Sequence, residues 1–219
     1  MALSIGGTAS LYASSGTSGS TGTLTASSGS VIVVAVTLNS GGQSVSSCSC
    51  TNVTFVGTAR AKSGASGDII EEWTGVSTSA VSAAVTVNIS GTTSFLTIHA
   101  YEVIGSPTTS YFDSGGSSNV PQTTNGDVDI TITTNNAIDI LLGAFRSASV
   151  ANPVAGTNFT RILGATGSGY TMTEYRVVSS AGSQTVQKGV GNSTNGGIAD
   201  AIIEAAAAAG RNPGGWVSA

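Results

Sequence analysis

Short apolar runs separated by polar turns fill almost the whole chain. Each run is rich in β-branched residues and is bounded by Gly, Ser, Asn or Asp, a pattern that predicts an all-β sandwich or barrel. About thirteen strands are expected, which is enough for two packed sheets. The predicted strands are Leu11–Tyr12, Thr21–Ala26, Val31–Leu38, Val53–Ala59, Ile69–Trp73, Ala83–Ile89, Phe95–Val103, Val128–Thr134, Ile138–Phe145, Phe159–Gly164, Thr171–Val178, Gln184–Val190 and Ile198–Glu204.

Two of these runs indicate how their strands are covered. Asp127–Thr133 alternates apolar and polar residues, so one face of that strand is expected in the core and the other in water. Val31–Val36 is apolar at every position. This run predicts a central strand that is covered on both faces.

The two halves of the chain resemble each other. The matching segments are Phe55 with Phe159, Glu72-Trp73 with Glu174-Tyr175, Glu102 with Glu204, and Val31–Leu38 with Ala137–Ala144. The match predicts a structural duplication with halves at about 21–105 and 111–205, arranged either as one sandwich or as two in tandem. One shared core buries more surface per residue, so a single sandwich of jelly-roll type is favoured.

The two ends are expected to differ from the sandwich, which is placed at residues 21–205. Residues 1–20 are interpreted as a polar N-terminal arm or a first edge strand, and residues 206–219 as a C-terminal tail. The alanines of Ala205–Ala209 favour a short helix, but the repeat indicates that Ile198–Glu204 is the last strand. The start of the chain lacks the features of a secretory signal. No apolar run approaches the roughly 20 residues needed to cross a bilayer, so no membrane is expected as a partner.

The composition restricts the classes of function. Charged residues make up 8% of the chain, against roughly 25% in an average soluble protein, while glycine alone contributes 30 residues. Seven Lys and Arg residues and a pI near 4.7 cannot neutralise a phosphate backbone, which argues against nucleic acid as a partner. An apolar fraction of 40% argues against intrinsic disorder.

Candidate catalytic residues are few. His99 is the only histidine and lies inside a predicted strand, where a structural role is expected. Glu72 and Glu174 meet only if the pseudo-symmetry brings them together, and no catalytic constellation results, so the chain is not expected to be an enzyme or to hold a cofactor or metal. Cys48 and Cys50 are expected to be free thiols, because a bridge across that spacing closes a strained ring.

Aromatic residues in Gly- and Ser-rich segments are the candidate binding residues. Such side chains stack on sugar rings or dock a neighbouring protein, although they also cap the ends of a sandwich. Trp216, on the tail, is either a docking anchor or a residue folded back on the sandwich edge. The candidate docking or sugar-stacking residues are Tyr12, Tyr111, Phe112, Tyr170 and Trp216.

The core segments carry a resemblance to a known group of proteins. These segments are Val31–Val36, Thr54-Phe55, Glu72-Trp73, Ala100–Gly105, Asn136–Gly143 and Tyr175–Val178. In them the chain resembles a family of Gly-, Ser- and Thr-rich β-sandwich domains found in bacteriophage virion proteins and bacterial surface proteins. The resemblance implies a structural or surface-binding role, and it supplies no catalytic residue.

A surface with few charges is expected to lie against copies of itself or another shell without desolvating ions. Together with the resemblance, this surface leads to the prediction of a bacteriophage virion structural protein that decorates the outer surface of the capsid after synthesis in the host cytoplasm. Its expected partners are copies of itself, as a trimer around a local symmetry axis, and another virion protein such as the major capsid protein. The alternative is a tail-tip or fibre adhesin that binds host-surface carbohydrate.

Overall fold

A computed structural model describes nine stretches of the chain. They are residues 2–13, 15–39, 42–65, 68–113, 120–125, 127–147, 154–164, 171–189 and 194–206. Within these stretches the protein forms seventeen strands and no helix, and fifteen of the strands have five or more residues.

Nine strands belong to the first half of the chain and eight to the second. The first nine are β1 (Ser4–Ala13), β2 (Gly16–Ala26), β3 (Val31–Asn39), β4 (Val45–Ser49), β5 (Val53–Phe55), β6 (Ala61–Ala65), β7 (Asp68–Ser77), β8 (Val81–Thr93) and β9 (Leu96–Ile104). The other eight are β10 (Val120–Asn125), β11 (Val128–Thr134), β12 (Asp139–Ser147), β13 (Val154–Ala155), β14 (Thr160–Gly164), β15 (Thr171–Val178), β16 (Gly182–Gly189) and β17 (Thr194–Ile203).

The strands form four antiparallel sheets, two from each half. Inner sheet 1 has the order β1-β9-β3-β7-β5, with β6 also paired to β7, and outer sheet 1 has the order β2-β8-β4. Inner sheet 2 has the order β10-β17-β12-β15-β14, and outer sheet 2 has the order β11-β16-β13. None of these sheets mixes strands from the two halves.

Each half has the connectivity of a jelly roll. Its first and last strands are neighbours in the inner sheet, and the chain passes between the inner and outer sheets, as in a double-sheet jelly roll. The strand order of the second half repeats that of the first, with β10, β12, β15 and β17 in the places of β1, β3, β7 and β9. The two halves are therefore structural repeats.

The four sheets stack as layers, with the two inner sheets in the middle. Ile32 and Val34 on β3 pack with residues of outer sheet 1, whereas Val31 and Val33 pack with Leu142 and other residues of inner sheet 2. We call this contact between the inner sheets the seam. Because β3 is covered on both sides, Val31 to Val36 have no exposed surface, which confirms the prediction for this run.

The structure confirms the all-β sandwich of jelly-roll type and refines it in two respects. There are seventeen strands among the described residues instead of about thirteen, and there are two sandwiches, one from each half, instead of one with a shared core. The seam explains why separate sandwiches suffice: the central strands β3, β9 and β12 of the inner sheets are buried on both faces, as in a shared core. At the C-terminal end, β17 shows that Ile198–Ile203 is a strand and not a helix.

At the N-terminal end, strand structure begins before residue 21. Ser4–Ala13 forms β1, an edge strand of inner sheet 1 paired to β9, and β2 begins at Gly16. At the other end, the tail from residue 207 onward lies outside the described residues.

Candidate functional site

One ion pair crosses the seam between the two halves. Arg60, just before β6, donates from Nε to Oδ2 of Asp200 on β17 over 2.8 Å, and from Nη2 to Oδ1 over 3.3 Å. Asp200 is fully buried, while the Arg60 side chain is 28% exposed. The guanidinium also lies 3.7 Å over the ring of Phe112. Arg60 therefore connects the surface of the first half with the interior of the second.

Glu72 places a second buried carboxyl beside this ion pair. Burial raises the pKa of Glu72 well above its usual value, the negative charge of Asp200 raises it further, and Arg60 opposes both effects. Burial likewise raises the pKa of Tyr101. Beside the buried Asp200, the protonated form of Glu72 is therefore favoured relative to its charged form.

His99 forms the polar contact at another point of the seam. Its Nε2 lies 3.3 Å from the Tyr12 hydroxyl on β1, and its Nδ1 lies 3.4 Å from the Thr173 hydroxyl on β15. Burial lowers the pKa of His99 to about 3. The imidazole is thus a neutral link between the halves, which agrees with the structural role expected from the sequence.

A further acid pair lies where the first half leads into the second. Asp113 accepts hydrogen bonds at Oδ2 from the backbone N–H groups of Asn135 and Asn136, at 2.6 and 3.2 Å. The neighbouring Asp139 has no exposed surface. Burial, followed by the charge of Asp113, raises the pKa of Asp139 to about 7. Asp139 therefore titrates near neutral pH.

The structure keeps apart Glu72 and Glu174, the two glutamates that would meet only if the pseudo-symmetry brought them together. Glu72 faces the seam, whereas Glu174 faces outer sheet 2, where it accepts a hydrogen bond from the Gly156 backbone N–H over 2.8 Å. The counterpart of Glu174 is Glu71, which accepts from the Val45 backbone N–H over 3.3 Å. The sequence alignment was therefore one residue out, and a slip of one residue moves a side chain to the other face of the sheet.

The five candidate binding aromatics are not equivalent in the structure. Tyr12 is 43% exposed on edge strand β1 and packs edge-on against His99. Tyr111 is buried and donates its hydroxyl to Thr74 over 3.0 Å. Phe112 is half-buried beside it, with ring centroids 4.7 Å apart. Tyr170 and Trp216 lie outside the described residues.

Tyr111 and Phe112 do help to form a pocket beside the Arg60 ion pair. We call it the seam pocket; it has a volume of about 540 Å³ and is lined by Val56, Thr58, Ala59, Arg60, Thr74, Ser110, Tyr111 and Phe112. The loop between β5 and β6 forms one wall and the segment after β9 forms another. The two aromatics were among the candidates from the sequence, whereas the Arg60–Asp200 contact and the place of Val56 in the pocket depend on partners distant in the chain.

The outer face of outer sheet 1 is the second candidate site. Strands β2, β4 and β8 contain no charged residue, and their exposed side chains are mostly Ser and Thr hydroxyls, together with Asn88 and Ala84. Several bond to one another: Ser20 Oγ lies 2.8 Å from Thr86 Oγ1, and Asn88 Nδ2 donates to Ser47 Oγ over 3.0 Å. In contrast, outer sheet 2 carries an exposed carboxylate, Asp129 on β11.

Cys48 and Cys50 are free thiols, as expected from their spacing. In the described part of the chain, no three His, Cys, Asp or Glu side chains come together in a way that would hold a metal ion. The same residues include no helix of the length and apolarity that a membrane span requires.

Comparison of the chain with known protein families, with curated proteins and with solved structures finds no match. The function must therefore be argued from the surfaces and pockets of the molecule itself.

Proposed function

We propose that this chain is a structural protein of a bacteriophage particle and that it decorates the outer surface of the capsid. The fold supports the proposal in a general way, because jelly rolls recur in viral capsid proteins. A fold shared by many functions does not decide among them. The more specific support for the proposal comes from the outer face of outer sheet 1.

That face is suited to lie against another protein surface. It carries no ion to desolvate on contact, and its Ser, Thr and Asn side chains lose less conformational entropy on burial than Lys or Glu. The hydrogen bonds between Ser20 and Thr86 and between Asn88 and Ser47 fix part of the face before any contact forms. In the proposal, it packs against copies of the chain, arranged as a trimer, and against the major capsid protein.

The remaining surface agrees with an external location. The net charge of −4 gives no attraction to packaged nucleic acid, since like charges repel. Decoration would then stabilise the particle by bridging neighbouring subunits, and no catalytic step is part of the role.

A stripping experiment tests this role. Particles lacking the protein should lose integrity at lower temperature and under milder osmotic shock than complete particles, and adding back the purified chain should restore resistance. Equal resistance with and without the protein would contradict the clamping role.

Two charge variants test the surface. Thr25→Lys places a charge on the exposed face of outer sheet 1, and Thr131→Lys is its match on outer sheet 2. We expect Thr25→Lys to rebind stripped particles at least about tenfold more weakly, which corresponds to about 1.4 kcal/mol, while Thr131→Lys rebinds as the wild type. Equal rebinding by all three chains would exclude this face as the contact.

A further inference from the structure

The seam pocket has the properties of a small-molecule site. Its volume of about 540 Å³ lies within the range of roughly 300–1,000 Å³ typical of ligand pockets. Its lining combines an apolar side, formed by Val56, Ala59 and Phe112, with the hydroxyl groups of Thr58 and Ser110. Val56 is 52% exposed, which is a large apolar exposure for a residue at the mouth of a pocket.

The charge of the pocket indicates an uncharged ligand. Arg60 is the charged residue among its lining side chains, and Asp200 already balances it through contacts of 2.8 and 3.3 Å. Asp200 is fully buried behind it. An anionic ligand would have to compete with the Asp200 carboxylate for the Arg60 guanidinium. A cationic ligand would meet that guanidinium with its charge already balanced by Asp200.

The wall formed by the segment after β9 is held rigidly. Tyr111 donates its hydroxyl to Thr74, its carbonyl accepts from the Ile203 N–H over 2.9 Å, and the Asp113 N–H donates to the Ala201 carbonyl over 3.0 Å. These bonds hold Ser110 at a φ of 50°, a left-handed conformation that is unfavourable for a residue with a Cβ. Strained residues of this kind cluster at ligand sites, and a fixed wall lowers the entropy cost of binding.

We propose that the seam pocket binds a neutral sugar ring of the hexopyranose type. A pyranose has an apolar C–H side that fits against Val56 and Ala59, and a rim of hydroxyls that fits the hydroxyl groups of Thr58 and Ser110. A hydrocarbon chain could form no hydrogen bond with these two hydroxyls. The site does not depend on where in the particle the protein sits.

This sugar site differs from the one that the sequence indicated. Tyr111 is buried and Phe112 is covered by the Arg60 guanidinium, so these rings act as the floor of the pocket and not as open stacking platforms. Specificity would come from the hydroxyls and the guanidinium that surround the ring.

Saturation-transfer NMR with the purified full chain tests the proposal. The probes are the methyl glycosides of glucose, galactose and mannose, with glucose 6-phosphate as an anionic comparison. We expect saturable binding of at least one methyl glycoside at millimolar concentration, and no tighter binding of the phosphate. Absence of saturable binding by all three neutral probes, or preference for glucose 6-phosphate, would overturn the proposal.

Two valine variants locate the site. Val56→Glu introduces a charge at the mouth of the pocket, and Val154→Glu makes the same change at a valine that is 69% exposed in the second half. Both positions are exposed, so both variants should fold, which circular dichroism would verify. Val56→Glu should weaken sugar binding at least about tenfold, and Val154→Glu should leave it unchanged. Equal affinities for the two variants would place any sugar elsewhere and refute the pocket.

Discussion

The two halves share one strand order but divide the chemistry of the molecule unequally. Inside each sandwich the repeated positions do the same work: Glu71 and Glu174 each accept a backbone N–H from the region of β4 or β13 across the sandwich. At the seam the equivalent positions carry different side chains. In the first half the position is His99, which lies opposite Ala35 on the neighbouring strand, and in the second half it is Asp200, which lies opposite Leu142. A repeated fold needs the same core twice, whereas two sheets that face each other need complementary side chains.

The outer surfaces diverge as well. The described strands of outer sheet 1 carry no charge, while outer sheet 2 exposes Asp129. The seam pocket is likewise formed by the first half and the segment that follows it. In the proposal, the first half carries the contacts with other molecules and the second half supports it through the seam.

Replacing two neighbouring leucines is the strongest test of how the two halves of the chain depend on each other. Leu141 packs in the sandwich core of the second half and Leu142 packs in the seam, and both are fully buried. Replacing either by Ala should lower the free energy of unfolding by about 2–5 kcal/mol. In a Trp216→Phe background, Trp73 fluorescence reports the first half during denaturant unfolding.

The two leucine variants should differ in what Trp73 reports. Leu142→Ala opens a gap in the apolar cluster that Leu142 shares with Val31 and Val33 of the first half, so the Trp73 transition should move with that of the whole chain measured by circular dichroism. A Trp73 transition that Leu142→Ala leaves unchanged would show that the halves are independent, contrary to the seam.

The loss of stability at acid pH tests the role of His99 in the seam. The unfolded histidine titrates near pH 6.5, whereas the folded pKa is about 3. Between these values the unfolded state binds an extra proton, so stability falls as the pH is lowered, by as much as about 1.4 kcal/mol per pH unit. His99→Gln should remove this component, seen as a shallower loss of stability between pH 6.5 and 4. Unchanged slopes in the variant and the wild type would refute the neutral, buried His99.

The adjacent residues Glu72 and Glu71 provide a paired test. Replacing each of them by Gln should change the free energy of unfolding in opposite directions. Glu72 has a raised pKa in the folded state, so its contribution to stability is greatest below the unfolded pKa and falls as the pH rises. Glu72→Gln removes the titration and should stabilise the protein at pH 8 by about 1 kcal/mol or more, since one pKa unit is worth about 1.4 kcal/mol.

Glu71→Gln is the control for this change. The Glu71 carboxylate accepts hydrogen bonds from Val45 N–H and Trp73 Nε1–H, so the amide should destabilise the protein at the same pH by about 1 kcal/mol. Urea unfolding of both variants decides the matter. Destabilisation by Glu72→Gln at pH 8 would contradict the raised pKa of Glu72.

The smallest expected effect concerns the two thiols of the first half. Burial raises the pKa of Cys48 to about 12, with a further contribution from Glu71, while Cys50 is half-buried and shifted less. The thiolate is the reactive form, so a thiol reagent at pH 8 should modify Cys50 first. Mass spectrometry after partial labelling would show this order, and equal labelling of both thiols would contradict the burial of Cys48.

Much of the fold followed from local patterns, and the omissions have a common cause. Every strand predicted from the sequence has a counterpart, although Val53–Ala59 shortens to β5. The four strands that were missed, β4, β6, β10 and β13, all lie at sheet edges. Each of the four has at most six residues and few of them are apolar, so the alternation that marks a strand in the sequence is weak in them.

The candidate sites were less accessible to sequence reasoning. The Arg60–Asp200 contact joins residues 140 positions apart, and no local pattern connects them. The repeat was recognised, but Glu72 was matched with Glu174 by residue type. Glu72 faces the seam and Glu174 faces the sandwich core, because successive residues of a strand point to opposite faces of the sheet. What covers the second face of Val31–Val36 likewise depends on the packing of two sheets and not on the run itself.

The most direct measurement of the proposed role is cryo-electron microscopy of purified phage particles that contain this chain. The account predicts a four-layer β-sandwich density on the outside of the capsid, with the uncharged face of outer sheet 1 against a neighbouring subunit. A particle whose outer surface has no such density, or one in which that face points into solvent at every copy, would contradict it.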